Sequence, residues 1–341
     1  MGFIIVSPVN KRAESRNHLD HGNVKSLTEG AGSKFNRPHA VCVKHNGVGS
    51  CLSREIYICF QTEIIAFLVF EEKILAYDPR MFMVNEVEWE EIVSKREIAN
   101  SKGMSVEDTS RIHVIIAEAA AKVGDEVKTA FDIKVVEDIK DFDAGAFVKK
   151  VCESGLNKLG AASLKSGNYP VIFDKDAMSD LFSAFSYLYS GDLIGKGISP
   201  LRDKIGEKIF SEKITVVDDP RIPDSYQRAN FDDEGSPTYR KDVVKDGVFE
   251  LALQDSKSAA RMKTNSTGNG FKGSYSSAVG VSPLNCYIVP GENDLAALME
   301  EMKDGLVITD LAGLHAGIDA VTADFSLQCS GYLVKNGKRG R

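Results

Sequence analysis

Three short stretches hold the groups whose types and spacing bear most directly on chemistry: Asp218-Asp219-Pro220, Phe231-Asp232-Asp233-Glu234-Gly235 and Ser266-Thr267-Gly268-Asn269-Gly270. Carboxylate oxygens suit magnesium or calcium, so Asp218, Asp232 and Glu234 could make a metal-bound hydrolytic centre. Neighbours in a strand point to opposite faces, however, so Asp218 and Asp219 could share one ion only across a turn. Asp also caps turns by accepting backbone N–H bonds, and that architectural reading outweighs the metal reading. In the third stretch, glycines beside Asn269 permit positive φ. Successive N–H groups there could line a concavity for a peptide carbonyl or carboxylate, although an ordinary glycine-rich loop reads the same way. His315, in Gly313-Leu314-His315-Ala316-Gly317, and Cys329 further on fall short of the three protein ligands of a catalytic zinc. They form no recognisable Ser-His-Asp or Cys-His set. His315 reads as a hydrogen-bonded structural residue and Cys329 as a small buried hydrophobe.

The elements that must position these groups follow from periodicity. Ile112 to Ala121, followed by Gly124-Asp125-Glu126-Val127-Lys128-Thr129-Ala130-Phe131, reads as antiparallel strands joined by tight turns. Asp143 caps a helix with Phe147, Val148, Val151, Cys152, Leu156 and Leu159 on one face, ended by Gly160. A short strand at Tyr169 to Phe173 runs into a helix over 176–189 with Met178, Leu181, Phe182, Phe185 and Tyr189 at helical spacing. Ile214 to Val217 is a strand stopped by Asp218-Asp219-Pro220, and Asp242 to Leu253 a hairpin around Asp246-Gly247, a pair suited to positive φ. Asn293 is expected to cap a helix carrying Leu295, Leu298, Met299 and Met302, with strands at Leu306 to Thr309 and Tyr332 to Val334. Strands and helices do not alternate regularly, which predicts an α+β fold with mixed and antiparallel sheets, packed helices and two domains.

Composition narrows the function classes. At 341 residues the chain has room for about two domains. Its net charge of −7 argues against an electrostatic nucleic-acid binder. The best apolar run, Ile64 to Phe70, is far short of the roughly 20 residues that span a bilayer, and no secretion signal is convincing. Six scattered cysteines without a C-x-x-C pair suit a reducing cytoplasm. Residues 1–72 differ from the rest: eight Lys/Arg against seven Asp/Glu give +1, leaving −8 for the remainder. They form an unassigned N-terminal segment, expected to be more loosely packed than 143–337.

The stretch Tyr169 to Leu188, together with Arg96-Glu97-Ile98-Ala99-Asn100-Ser101-Lys102-Gly103 and the D-D-P, F-D-x-E-G and T-G-N motifs, resembles the TldD/PmbA (TldD/TldE) family of metalloproteases. The resemblance begins near Lys73 and is nearly continuous from Gly167 to Gly337. It implies a partial middle domain over 73–163 and a C-terminal PmbA/TldE-like domain over 164–341. In the catalytic TldD type, the helix after the short strand carries H-E-x-x-x-H, two zinc ligands and a base. Here it reads Ser183-Ala184-Phe185-Ser186-Tyr187-Leu188. Ser183, Ala184 and Leu188 offer neither imidazole nor carboxylate. The resemblance further implies a β segment beyond Tyr332 to Lys338 that supplies a third, cysteine ligand, so the chain is expected to be truncated at that end.

These features imply a PmbA/TldE-like subunit with no cofactor of its own, zinc lying in a TldD-like partner, and a role in proteolysis and peptide maturation in the cytoplasm. The implied partners are that metallopeptidase subunit, a peptide substrate and a possible homo-oligomer, with neither nucleic acid nor membrane. Asp218, Asp219, Asp232, Glu234, Thr267, Asn269 and His315 are the expected substrate-cleft residues, and charge reversal at Asp232 and Glu234 is expected to spare the fold. The alternatives are a self-contained carboxylate-metal hydrolase and a family copy acting only in binding.

Overall fold

The computed structural model describes residues 70–340, apart from Lys102, Pro223, Asp224, Tyr226, Tyr275 and Ala320, and the backbone of two short strands nearer the N-terminus. The contrast expected for residues 1–72 therefore lies almost wholly outside the described residues.

In chain order the elements are β1 (Ile4–Ile5), β2 (Cys42–His45), helical residues 70–77 (α1), β3 (Met81–Ala99), β4 (Ser105–Val123), β5 (Glu126–Val136) and α2 (Ala144–Asn157). Then come β6 (Asn168–Tyr169), β7 (Val171–Phe173), α3 (Lys175–Phe185), α4 (Gly191–Gly195), β8 (Val216–Asp218), β9 (Lys241–Lys245), β10 (Val248–Phe249) and α5 (Ser256–Met262). Last are β11 (Gly270–Phe271), β12 (Gly280–Val281), β13 (Cys286–Ile288), α6 (Leu295–Met302), β14 (Gly305–Ala312), β15 (Gln328–Lys335) and β16 (Lys338–Arg339).

The middle part is a sheet of order β2-β3-β4-β5, with β3, β4 and β5 antiparallel neighbours. β4 alternates, and its inward side is built of small residues. Ala117, Ala119 and Ala121, with Ala130 of β5, are buried against Phe147, Val148, Val151 and Cys152 of α2. Alanine on the strands lets the helix approach closely. A Cβ at Gly155 of α2 would lie 3.4 Å from the Ala130 methyl. Asp143 caps α2 as predicted, accepting from the Ala146 N–H at 2.9 Å. Gly124, at φ 57°, makes the tight turn from β4 to β5.

The C-terminal part holds two four-stranded sheets. In β10-β9-β8-β13 all neighbours are antiparallel, and the core joins Val216, Val243, Val244, Phe249 and Leu253 to Tyr189 and Ile194. In β16-β15-β14-β7 the β14–β7 pair is parallel, and α3 covers the sheet with Ala177 and Leu181 on Leu306, Ile308 and Leu311. The fold is thus α+β with mixed and antiparallel sheets. The Asp246-Gly247 hairpin forms with φ of 48° and 81°, the two positive values such a turn requires.

The starts of two helices differ from the sequence expectation. Asp174, not a residue within 176–189, caps α3, accepting from the Asp176 and Ala177 N–H groups; the α-helix ends at Phe185 and tightens into a 3-10 turn at Ser186–Tyr189. Asp294 rather than Asn293 caps α6, accepting from Ala297 N–H at 2.8 Å. A carboxylate at the N-cap also opposes the helix dipole's positive end, which an amide does not.

Candidate functional site

The three polar stretches meet where β8, the loop after Ala229 and the turn before β11 converge. Asp218 ends β8 fully buried. Its Oδ2 accepts from Lys241 Nζ and from Asn269 Nδ2, both at 2.9 Å, and its Oδ1 accepts from the Leu284 N–H at 2.7 Å. Lys241 is also buried, so this is an ion pair removed from water, with the ammonium 4.9 Å from the Tyr239 ring centre. Asn269 donates its second amide hydrogen to Ser282 O at 3.0 Å and accepts from the Thr267 hydroxyl at 2.7 Å. Thr267 Oγ1 in turn accepts from the Gln254 N–H at 2.7 Å.

Asp232 is equally buried and closes its own loop. Oδ1 accepts from the Glu234 and Ser236 N–H groups at 3.0 and 2.9 Å, and Oδ2 from the Gly270 N–H at 2.9 Å. Asp233 accepts from Arg96 Nη1 at 2.8 Å and from the Lys272 N–H at 2.7 Å. Glu234 is half-buried, and its Oε2 accepts from Ser256 N–H, at the first turn of α5, at 2.7 Å. Asp219 is half-buried and caps the following turn through the Arg221 N–H at 3.1 Å.

Four of the expected cleft residues turn inward. Asp218, Asp232, Thr267 and Asn269 are buried and their polar atoms are spent on the protein itself. Nor is the glycine-flanked turn an open anion concavity. Gly268 N–H is taken by Ser266 Oγ, Asn269 N–H by Gln254 O, and Gly270 N–H by the Asp232 carboxylate. Gly268 is required there: φ is 70°, and an added Cβ would sit 2.5 Å from Pro237 O. Of the expected cleft residues, Asp219 and Glu234 are half-buried and His315 is exposed in the turn after β14. The carboxylates face different partners, and among the described residues no three His, Cys, Asp or Glu gather as a metal would need.

Sequence reasoning missed Lys241, Arg96 and Gln254. Lys241 lies two residues before the buried Val243 in β9, hence on the same strand face, and that period was the available signal. Arg96, near the end of β3, reaches the C-terminal part. Its guanidinium donates to Asp233 and to Phe231 O at 2.7 Å, and lies 4.6 Å from the Phe231 ring centre. Asp108 of β4 accepts from the Asn230 N–H at 3.2 Å. The β3–β4 hairpin thus grips the F-D-D-E-G loop from outside. Cys286 pairs with Asp218 in the β8–β13 register. Burial first, then the Asp218 charge, push its thiol well above the ordinary range, which leaves it a poor nucleophile.

On α3 and the turn after it, Ser183 is exposed, Ala184 is half-buried and Leu188 is buried. Their side chains, one hydroxyl, one methyl and one isobutyl group, offer neither the imidazoles nor the carboxylate of a zinc centre. Leu188 packs inward, and its carbonyl accepts from Ser199 Oγ at 2.8 Å. No helix among the described residues is long and apolar enough to cross a membrane.

Comparison with known proteins agrees with this architecture. The PmbA/TldA metallopeptidase C-terminal domain matches residues 166–341, and the corresponding central domain matches 61–159. A metalloprotease TldD homolog of Buchnera aphidicola is 29% identical over 192 residues, 56% of this chain and 39% of that protein. A metalloprotease PmbA homolog of Haemophilus influenzae is 24% identical over 270 residues, 79% of this chain and 57% of that protein. The chain therefore spans about two-fifths to three-fifths of the length of these relatives. Among solved structures, a Thermotoga maritima protein proposed as a modulator of a DNA gyrase superposes with a TM-score of 0.77 at 29% identity, over 87% of this chain and 68% of that one. TldE from Thermococcus kodakarensis, at 24% identity and a TM-score of 0.72 over 81% of this chain and 62% of that one, shares the fold. By the match over half its length, this chain belongs to the PmbA/TldD metallopeptidase family.

Proposed function

We propose that this chain is a non-catalytic, PmbA/TldE-like subunit that joins a zinc-bearing, TldD-like metallopeptidase and takes part in peptide cleavage and maturation. The observation that carries this reading is the triplet Ser183, Ala184 and Leu188 on α3 and its 3-10 extension, where the family resemblance implies two histidines and a glutamate. A hydroxyl, a methyl and a buried isobutyl group can neither ligate zinc nor take a proton from metal-bound water. The buried network around Asp218, Asp232 and Asn269 supports a structural contribution: it fixes the loops that the resemblance assigns to a peptide cleft and performs no chemistry itself.

The self-contained carboxylate-metal hydrolase has no support in the geometry. Asp218 is neutralised by Lys241, Asp232 is consumed by three backbone N–H groups, and Glu234 holds the start of α5. The test is co-expression with a TldD-like subunit, affinity capture on this chain, and cleavage of an unstructured peptide with and without it. A stable complex whose cleavage depends on this chain is expected. A TldD-like subunit that cleaves equally well alone, with no complex formed, would overturn the proposal.

A further inference from the structure

Among the described residues β5 forms one edge of the sheet β2-β3-β4-β5, and its two faces differ. Residues of even number face α2: Ala130 is buried against that helix and Asp132 meets Lys150 of α2 at 3.2 Å. Residues of odd number face away, and three of them are large, apolar and uncovered: Val127 at 45%, Phe131 at 58% and Ile133 at 50% exposure. An eleven-residue edge strand with such a face is a template for pairing with another strand.

The sequence of the edge states which strand. When β5 is laid antiparallel against a second copy of itself with Ala130 opposite Ala130, the pairs over residues 126–134 are complementary. Glu126 faces Lys134 of the second copy and Lys128 faces its Asp132, on the α2 side; Val127 faces Ile133 and Thr129 faces Phe131, on the apolar side. A two-fold axis through Ala130 generates each contact twice, as a closed isologous pair requires. Lys134 has no ion pair among the described residues, so its charge is available for the second copy. Edge charges ordinarily discourage pairing with unrelated strands; this order of charges removes that penalty only for the strand's own copy.

We propose that β5 is a homotypic docking edge through which two copies of this chain form a continuous sheet across a two-fold axis. The inference stands apart from the metallopeptidase reading, because it uses neither α3 nor the acidic loops.

Sedimentation velocity on the full chain, from low micromolar concentration upward, tests it. The wild-type chain is expected to be dimeric. Phe131→Glu, at a position exposed in the single chain, should give a monomer with an unchanged circular dichroism spectrum. Lys134→Glu and Glu126→Lys each create two like-charge contacts in the homodimer and should weaken it by roughly ten-fold. An equimolar mixture of those two variants restores both opposite-charge contacts and should recover the dimer. Should Phe131→Glu fail to fold, the charge pair and its mixture decide the matter. A wild-type chain that stays monomeric, a dimer indifferent to these substitutions, or a mixture no tighter than its components would overturn the proposal.

Discussion

Asp232 shows at the level of a single residue how an acidic motif can be mistaken for a reactive one. Three backbone N–H groups converge on its buried carboxylate, so Asp232→Ala leaves three donors without an acceptor. We expect a loss of roughly 3 kcal/mol or more in denaturant-induced unfolding. Glu234→Gln, which keeps an oxygen for the Ser256 N–H, should cost about 1 kcal/mol or less. Charge reversal at Asp232, expected from the sequence to spare the fold, should therefore cost stability as well, because it removes the same acceptor. Lys241→Met should cost roughly 3–5 kcal/mol, because it leaves Asp218 charged and buried without its cation. Adding Asp218→Asn should recover part of that loss in a double-mutant cycle, since the amide needs no counter-charge. The acidic residues were legible as turn formers from their D-D-P and D-x-E-G contexts. Their mutual connection was not, because Asp218, Lys241, Asn269 and Leu284 are brought together only by tertiary pairing.

Among elements, those with strong local signals were the ones visible in the sequence. The α2 stripe and its Asp143 cap, the Asp246-Gly247 turn and the short strand leading into α3 all carry period or turn chemistry within a few residues. The full length of the β3–β4 hairpin was hidden, because its outer strand ends are charged and polar and are held by partners in the other part of the chain, such as Arg96 on Asp233. α2 also supplies a pH-dependent expectation. Burial of Cys152 pushes its thiol up to about 11. An acid whose folded pKa is raised stabilises the fold fully below its unfolded value, near 8.5. That contribution falls away as pH rises from there through the folded value. Stability measured from neutral pH to strongly alkaline solution should thus decline over this window, and Cys152→Ala should remove its share of the slope. At mildly alkaline pH, residue-resolved alkylation should find Cys152 nearly inert in the folded protein and reactive once it is unfolded.

For the whole molecule, the middle and C-terminal parts are tied by charged contacts spread along their junction. Arg96 meets Asp233, Lys158 meets Asp310 at 2.8 Å, and Lys150 meets Asp176 at 3.1 Å. Arg96→Ala removes the most buried of these anchors, and with it a guanidinium that also bonds Phe231 O and stacks on the Phe231 ring. Limited proteolysis of that variant should cut faster in the 227–236 loop than in the wild type, while the α2 face of the sheet keeps its protection. We infer that a family member carrying Ser183, Ala184 and Leu188 contributes structure but no metal chemistry to peptide cleavage. The most direct measurement is zinc content by mass spectrometry on the purified chain, run in parallel with peptide cleavage by the chain alone and with a TldD-like subunit. Far less than one zinc per chain, no cleavage by the chain alone, and chelator-sensitive cleavage only with the partner are expected. One tightly bound zinc per isolated chain, lost together with a peptidase activity of that chain on chelation, would contradict it.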